Sequence, residues 1–167
     1  MSRSPLRILG IDPGLNITGY GVLECSDGKP RLCEAGVVRG TVRGSITARV
    51  EEIHRGVAEV IAELRPNVMA IEELYSHYAH PRTAVLMGHA RGVILMQAVK
   101  AGAEVRSFSA TRIKKSLTGN GRAGKLQVQR TIQSLLGLPR MPEPPDVADA
   151  VAAAMCCVRA MRKENLQ

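Results

Sequence analysis

The sequence predicts an α/β fold in which a mixed five-stranded sheet is flanked by helices. Three apolar runs near the start of the chain are separated by turn-forming residues, which is the pattern of an antiparallel meander. Two later apolar runs alternate with segments of helical periodicity, which is typical of strands that return through helices. The 167 residues include no Pro-, Ser- or Gly-rich linker, so we expect one domain over residues 1–167.

The first part of the chain supplies most of the strands. The meander is predicted at Arg7–Ile11, Thr18–Leu23 and Leu32–Val38. Apolar residues then recur at helical spacing over residues 46–64, with Ser45 as the N-cap and Pro66 as the stop. A fourth strand follows at Val68–Glu72.

The second part of the chain is mainly helical. A helix is predicted at Arg82–Lys100, a strand at Glu104–Phe108, and a short helix from its cap Ser109 through Leu117. The remainder is expected to be helical apart from two loops, Thr118–Gly124 and Pro139–Pro145. The predicted order of elements is βββαβαβαα.

Four carboxylates fall where a predicted strand ends or a helix begins. Asp12 and Glu72 each close an apolar run, whereas Asp146 and Asp149 open an alanine-rich helix and are three residues apart, on one face of it. Acids crowded together in this way repel one another unless divalent cations hold them. Hard oxygen ligands without a cluster of His or Cys suit Mg²⁺, so the pattern predicts a two-metal nuclease.

Each acid taken alone has an ordinary structural explanation. Asp12 can form a turn, Asp146 can be an N-cap, and the negative charge of Asp149 can interact favourably with the helix dipole. The spacing of the whole set favours metal ligation.

The charge of the chain agrees with a polyanionic partner. Lys and Arg number 23 against 15 Asp and Glu, which gives a net charge of +8. A basic surface attracts the phosphate backbone of nucleic acids, although charge alone does not establish such a partner. No apolar run is long enough to span a membrane and no signal peptide is evident, so we expect a cytoplasmic protein. The four cysteines lack CxxC spacing and are expected to be reduced thiols.

The ligand crevice of such a sheet lies at the strand ends. If the first and fourth strands are neighbours, Asp12 and Glu72 lie close together there, and the last helix can bring Asp146 and Asp149 in from one side. This is the arrangement of the ribonuclease H-like fold.

A series of short motifs runs along almost the whole chain. They are Gly10-Ile-Asp-Pro-Gly14, Thr18-Gly-Tyr-Gly-Val22, Ala70-Ile-Glu-Glu73, Gly88-His-Ala-Arg-Gly92, Ile113-Lys-Lys115, Gly119-Asn-Gly121, Lys125 and Asp146-Val-Ala-Asp-Ala150. In order and spacing this series resembles the RuvC family of Holliday junction resolvases. The resemblance implies a homodimer that binds four-way junction DNA and makes two symmetric nicks with two Mg²⁺ ions per active site, for which Mn²⁺ can substitute. It also implies 5′-phosphate and 3′-hydroxyl products, work beside the RuvA and RuvB branch-migration proteins, and a role in homologous recombination and DNA repair.

The resemblance also assigns roles to residues. Asp12, Glu72, Asp146 and Asp149 match the catalytic, metal-binding acids of the family. Strand alternation points Glu72 and Glu73 to opposite faces, so at most one of them enters the site, and the resemblance implies that it is Glu72. Lys114 and Lys125 match two basic positions near the scissile strand. Arg112, Lys115 and Arg122 extend a possible phosphate track, for which solvated helix faces are the alternative.

An aromatic residue and a helix complete the implied assignments. Tyr75 occupies a place where the family often carries a Phe that stacks on opened bases; the alternative is a loop Tyr packed on the protein. The helix Arg82–Lys100 corresponds to the dimer interface of the family, and a helix buried only in its own core is the alternative.

Two other functional classes remain open at this stage. The Gly-Ile-Asp-Pro-Gly turn also resembles the first phosphate loop of actin-like ATPases and sugar kinases, which need two such domains. The other class is a nucleic-acid binding protein on the same fold that does not cut. Nucleotide hydrolysis would favour the first class, and metal-independent binding without a nick would favour the second.

Overall fold

A five-stranded mixed sheet is the centre of the molecule. The structure, a computed structural model, describes residues 5–26, 29–41, 43–74 and 81–166. The strands are β1 (Leu6–Asp12), β2 (Ile17–Ser26), β3 (Lys29–Arg39), β4 (Val68–Glu72) and β5 (Glu104–Phe108). Their order across the sheet is β3-β2-β1-β4-β5. The α/β class and the five-stranded sheet expected from the sequence are therefore confirmed.

The direction of each strand follows from its connection. β1, β2 and β3 pair antiparallel because only a few residues separate them in the sequence, whereas β4 and β5 pair parallel because each is reached through a helix. β1 and β4 are neighbours, with Ile11 opposite Ile71. Their carboxyl ends therefore meet at the same edge of the sheet.

Five helices cover the sheet. They are α1 (Ile46–Leu64), α2 (Pro81–Lys100), α3 (Ala110–Thr118), α4 (Lys125–Leu136) and α5 (Pro145–Glu164). The predicted order βββαβαβαα is wrong by one element, because three helices follow β5. Gly119 is left-handed with φ 78° and ends α3, and Gly124 is the N-cap of α4, so the glycine-rich loop separates two helices.

The predicted helix caps are present. The Ser45 hydroxyl accepts a hydrogen bond from the Ala48 amide, and the Ser109 hydroxyl accepts one from the Arg112 amide. Arg65 adopts a left-handed conformation at the end of α1 and Pro66 follows it. These local signals explain why the helix starts were predictable from sequence.

Alternation along the strands divides the core into two layers. Ile8, Ala70 and Val68 face the layer formed by α3, α4 and α5, whereas Leu9 and Ile71 face the layer of α1 and α2. α5 is the most deeply placed helix, since its residues from Ala150 through Val158 are all buried.

Glycines let α5 lie directly on the sheet. A Cβ added to Gly10 would overlap the carbonyl oxygen of Ala150, and one added to Gly19 would overlap that of Asp146. No side chain separates the helix backbone from β1 and β2 at these points. The start of α5 is therefore fixed against the carboxyl end of β1.

Candidate active site

Asp12 is the last residue of β1 and its side chain points toward α5. Residues of even number in β1 face the α5 layer, because Ile8 packs there and Gly10 contacts α5. Among the described residues, no hydrogen bond involves the Asp12 carboxylate. Instead the turn after Asp12 is closed by buried Thr18, whose hydroxyl donates to the Gly14 carbonyl (2.7 Å) and accepts from the Gly14 amide (3.2 Å). The Asp12 carboxylate is therefore not used as a turn former.

A second set of hydrogen bonds ties this turn to α1. The Arg49 guanidinium donates to the side-chain oxygen of Asn16, and the Gly40 amide donates to the Asn16 carbonyl (3.0 Å). The Glu52 carboxylate accepts from the amide and hydroxyl of Thr41 in the adjoining loop. The turn beside Asp12 is thus held by the neighbouring strand and by the first turns of α1.

Glu72 is the last residue of β4, beside the end of β1. It lies one residue beyond Ile71, which pairs with Ile11, so Glu72 and Asp12 are adjacent across the two parallel strands. Alternation places Glu72 on the α5 side with Val68 and Ala70, as predicted. Glu73 falls on the other side and is exposed.

Asp146 and Asp149 enter from the first turns of α5. Pro144 is the N-cap and provides no side-chain cap, so Asp146 lies inside the first turn and is not the N-cap. The close contact between Gly19 and the Asp146 backbone sets this turn against β2, next to Asp12. Three elements distant in sequence therefore bring the four acids to one sheet edge.

The four acids lie near enough for their charges to affect one another. Burial, followed by the charges of Asp149, Glu72 and Asp146, raises the pKa of Asp12 to about 7. Burial and the Asp149 charge raise the pKa of Glu72, and burial also raises the pKa of Asp149. Neighbouring carboxylates disfavour one another's charged forms, so a cation at this edge would stabilise all of them.

Lys114 and Lys125 face the same acids. The Lys125 ammonium lies 3.9 Å from an Asp149 carboxylate oxygen, and its charge offsets part of the rise that burial and the other acids cause in the pKa of Asp12. The charge of Lys114, on α3, offsets part of the rise that burial causes in the pKa values of Glu72 and Asp149. Both lysines predicted near the scissile strand are therefore placed at the acidic edge, one from α3 and one from the start of α4.

The donor set fits a hard divalent cation. All four acids offer carboxylate oxygens, and a bound cation would counter both the burial and the neighbouring negative charges that raise the pKa of Asp12. Within the described ranges, no group of three or more His, Cys, Asp or Glu side chains is arranged to hold a metal ion. An open set of carboxylates suits Mg²⁺, which keeps several waters and takes further ligands from phosphate.

The other predicted DNA-binding residues do not lie together beside the acids. Arg112 and Lys115 lie on α3 facing α5, away from the acids, and Arg122 is exposed in the loop before α4. The Arg112 guanidinium stacks over the Phe108 ring at 4.9 Å. Tyr75 lies outside the described residues.

Several residues that shape the site were not identified from the sequence. Gly10 and Gly19 permit the approach of α5, Thr18 closes the turn, and Arg49 anchors that turn through Asn16. The glycines carried a signal, because a glycine inside a strand marks a close approach of backbone. The Arg49 contact joins residues 33 positions apart and has no local signature.

A ribonuclease H-like sheet with acids at the carboxyl ends of its two central parallel strands defines a class of nucleic-acid nucleases. The family model described as "Crossover junction endodeoxyribonuclease RuvC" matches residues 8–157. The chain belongs to this RuvC family of crossover junction endodeoxyribonucleases.

Individual relatives support the assignment. The chain is 52% identical over 151 residues to the RuvC of Rhodopirellula baltica, covering 89% of this chain and 84% of that one. It is 43% identical to the RuvC of Moorella thermoacetica, covering 90% of each. The solved structure of Thermus thermophilus RuvC in complex with Holliday junction substrate superimposes with a TM-score of 0.88 at 33% identity, covering 95% of this chain and 96% of that one. These relatives favour the nuclease interpretation over the actin-like ATPase interpretation.

Proposed function

We propose that the protein resolves four-way DNA junctions by two symmetric, metal-dependent nicks that leave 5′-phosphate and 3′-hydroxyl ends. The observation that carries the proposal is the convergence of Asp12, Glu72, Asp146 and Asp149 at one sheet edge, with the pKa of Asp12 raised to about 7. The relative from Thermus thermophilus, solved with Holliday junction substrate, supports the choice of substrate.

Asp12, Glu72, Asp146 and Asp149 would hold two Mg²⁺ ions, and Mn²⁺ can replace them. When bound, the ions supply an activated water and stabilisation of the leaving 3′ oxygen. The protein's own part is to fix the carboxylates on two strand ends and one helix, whose positions do not depend on loops. Asp12, between the other acids, is suited to contact both ions.

Lys114 and Lys125 would neutralise the phosphate at the scissile bond. Both approach the acids from helices of the α5 layer, and Lys125 reaches within 3.9 Å of Asp149. A fixed cation at this place stabilises the negative charge that develops on the phosphate during cleavage. Arg122 and Tyr75 are proposed to contact the surrounding DNA, the tyrosine by stacking on an opened base.

We further propose that α2 forms a homodimer interface. Its exposed side contains positions 85, 89, 92, 96 and 99, which follow the alternating four- and three-residue spacing of a helix-pairing seam. Val85, Met96 and Val99 on this side are 61%, 53% and 66% exposed, and Gly92 at its centre permits close approach of a second helix. The opposite side of α2, with Ala90 and Ile94, is buried in the core. Pairing about a two-fold axis would present two active sites to opposite strands of the junction.

Cooperation with RuvA and RuvB, action in recombination and repair, and a cytoplasmic location are part of the same proposal. They are supported by membership of the family. None of the described helices is long and apolar enough to cross a membrane.

The test is a cleavage assay on a mobile synthetic four-way junction with Mg²⁺, Mn²⁺ or EDTA. We expect paired, ligatable nicks in the junction when either metal is present, and no cutting of linear duplex with the same sequence. Asp12→Asn should abolish cleavage but still bind the junction, because it removes a metal ligand and leaves the basic surface intact. Junction binding by the wild type without nicks under either metal would overturn the proposal in favour of a binding protein that does not cut.

A further inference from the structure

A basic groove separate from the acidic edge lies between α3 and α5. It has a volume of about 320 Å³, with Arg112 and Lys115 on the α3 side and Arg159 and Lys163 on the α5 side. Cys156 lines it as well, and burial raises the pKa of that thiol, so it adds no negative charge at neutral pH. The groove therefore presents four cations around one depression.

These four cations have no acidic partner among the described residues. The ion pairs found there involve other basic residues, and none includes a cation of the groove. The nearby carboxylates Glu104 and Glu164 are both occupied by Arg106, at 2.7 and 2.8 Å. Unpaired like charges held together repel one another, and an anion between them would relieve that repulsion.

Two of the four cations, both of them guanidinium groups, are already held in place. Arg159 donates a hydrogen bond to the Ser116 carbonyl, and Arg112 stacks on Phe108. A guanidinium fixed in this way loses little freedom when it binds a phosphate, and its planar donors match phosphate oxygens. Lys115 and Lys163 are exposed and can close on the ligand.

The groove continues the DNA-binding surface on the far side of α3. Lys114 points to the catalytic acids, whereas its neighbours Arg112 and Lys115 point into the groove. A helix is about 10 Å across, and the major groove of B-DNA is about 12 Å wide. Phosphates that flank one DNA groove can therefore meet Lys114 on one side of α3 and the basic groove on the other.

We propose that this groove binds backbone phosphates of a duplex arm of the junction, and that Arg159 and Lys163 are DNA-binding residues. The inference rests on the proposed function and extends its contact surface along α5. Arg159 lies ten residues beyond Asp149 on α5, a distance of about 15 Å. With one charge per 3.4 Å of helix axis on each strand, the contacted phosphates lie roughly four to five base pairs along the duplex from the cleaved bond.

The first test compares two double variants with the same charge change. Lys115→Gln/Lys163→Gln removes two cations of the groove, and Lys29→Gln/Arg55→Gln removes two exposed cations elsewhere. Junction binding is measured in EDTA over a range of salt concentrations, after circular dichroism has shown that both variants are folded. We expect the groove variant to bind about 10-fold more weakly at 0.1 M salt, with a salt slope smaller by up to about 2, while the control stays within about twofold of the wild type.

The second test locates the contact on the DNA. Methylphosphonates replace phosphates on both strands four to five base pairs from the cleavage site in one arm, which should weaken binding of the wild type several-fold. The same replacement should leave binding of the groove variant unchanged, because its contact is already lost. Equal affinity and salt slope for the two double variants would overturn the groove proposal and favour an acidic protein segment as its ligand. If the wild type itself neither binds nor cuts junctions, the proposed function fails instead.

Discussion

At the residue scale, the raised pKa of Asp12 makes the stability of the metal-free protein depend on pH. Its pKa rises from an ordinary 3.8 to about 7 in the folded state, so between these pH values the folded chain binds a proton that the unfolded chain has lost. Stability must therefore fall as pH rises from about 4 to 7. The pKa values of Glu72 and Asp149 are raised as well and act in the same direction.

Urea unfolding in EDTA at pH 5 and pH 8 measures this effect. We expect the wild type to be less stable at pH 8, by no more than about 3 kcal/mol from Asp12 alone, because only the interval from pH 5 to about 7 contributes. Asp12→Asn should show a much smaller difference, and Mg²⁺ should restore stability to the wild type at pH 8 by binding the ionised acids. The same pH dependence in both proteins would contradict Asp12 as its source.

Glu72 and Glu73 provide a matched pair of substitutions at neighbouring positions. Glu72 faces the other acids, whereas Glu73 is exposed on the opposite side. Loss of a residue that only supports a metal ligand lowers activity by up to roughly 100-fold. Glu72 is proposed to be a ligand itself, so Glu72→Gln should lower the cleavage rate by more than this. Glu73→Gln should cut at nearly the wild-type rate. Single-turnover cleavage at saturating protein makes the comparison, and equal losses in the two variants would refute the assignment by strand alternation.

At the element scale, the contact between α5 and β1 holds the two acids of the helix, Asp146 and Asp149, beside the two acids of the sheet, Asp12 and Glu72. Gly10→Ala would force the Ala150 carbonyl away from the sheet and is expected to cost at least about 3 kcal/mol. Gly124→Ala is the control, because an added Cβ there meets nothing within 4 Å, and losing a preferred N-cap residue should cost no more than about 1 kcal/mol. Thermal and urea unfolding give both values. A Gly10→Ala protein as stable as the control would show that α5 can move off the sheet.

The strands and helix starts were largely predictable because their signals are local. β4, from its apolar run, and β5, from its strand-type sequence, were predicted with the bounds that the structure shows, and Ser45 and Ser109 marked the helix starts. β2 and β3 extend beyond the predicted bounds because their polar ends pair with one another, as in Ser26 with Lys29. Such pairing depends on the partner strand and leaves no apolar pattern.

Local signals predicted only part of the candidate site. The acids stand at strand and helix ends, where sequence pattern and family resemblance agree. The elements that hold them depend on contacts between distant segments, such as Arg49 with Asn16 and Gly19 with Asp146. These contacts form only when the layers pack, so no local pattern encodes them.

At the scale of the whole molecule, the exposed side of α2 predicts a dimer. Met96→Glu places a charge in the middle of that side and should convert a dimer into a monomer, because the charge would be buried without a partner. Leu135→Glu is the matched control on α4, where the replaced side chain is 43% exposed. Sedimentation velocity at micromolar concentration distinguishes the two forms. A wild type that is monomeric there, or a Met96→Glu protein that remains dimeric, would contradict the interface.

The order of the elements along the chain also bears on how the protein is made. Asp12 belongs to the first strand, while Asp146 and Asp149 belong to the last helix. During synthesis the amino-terminal strands emerge long before α5 exists, so a growing or prematurely ended chain lacks two of the four acids of the sheet edge. Cutting competence would therefore arrive only after the segment that forms α5 has been synthesised.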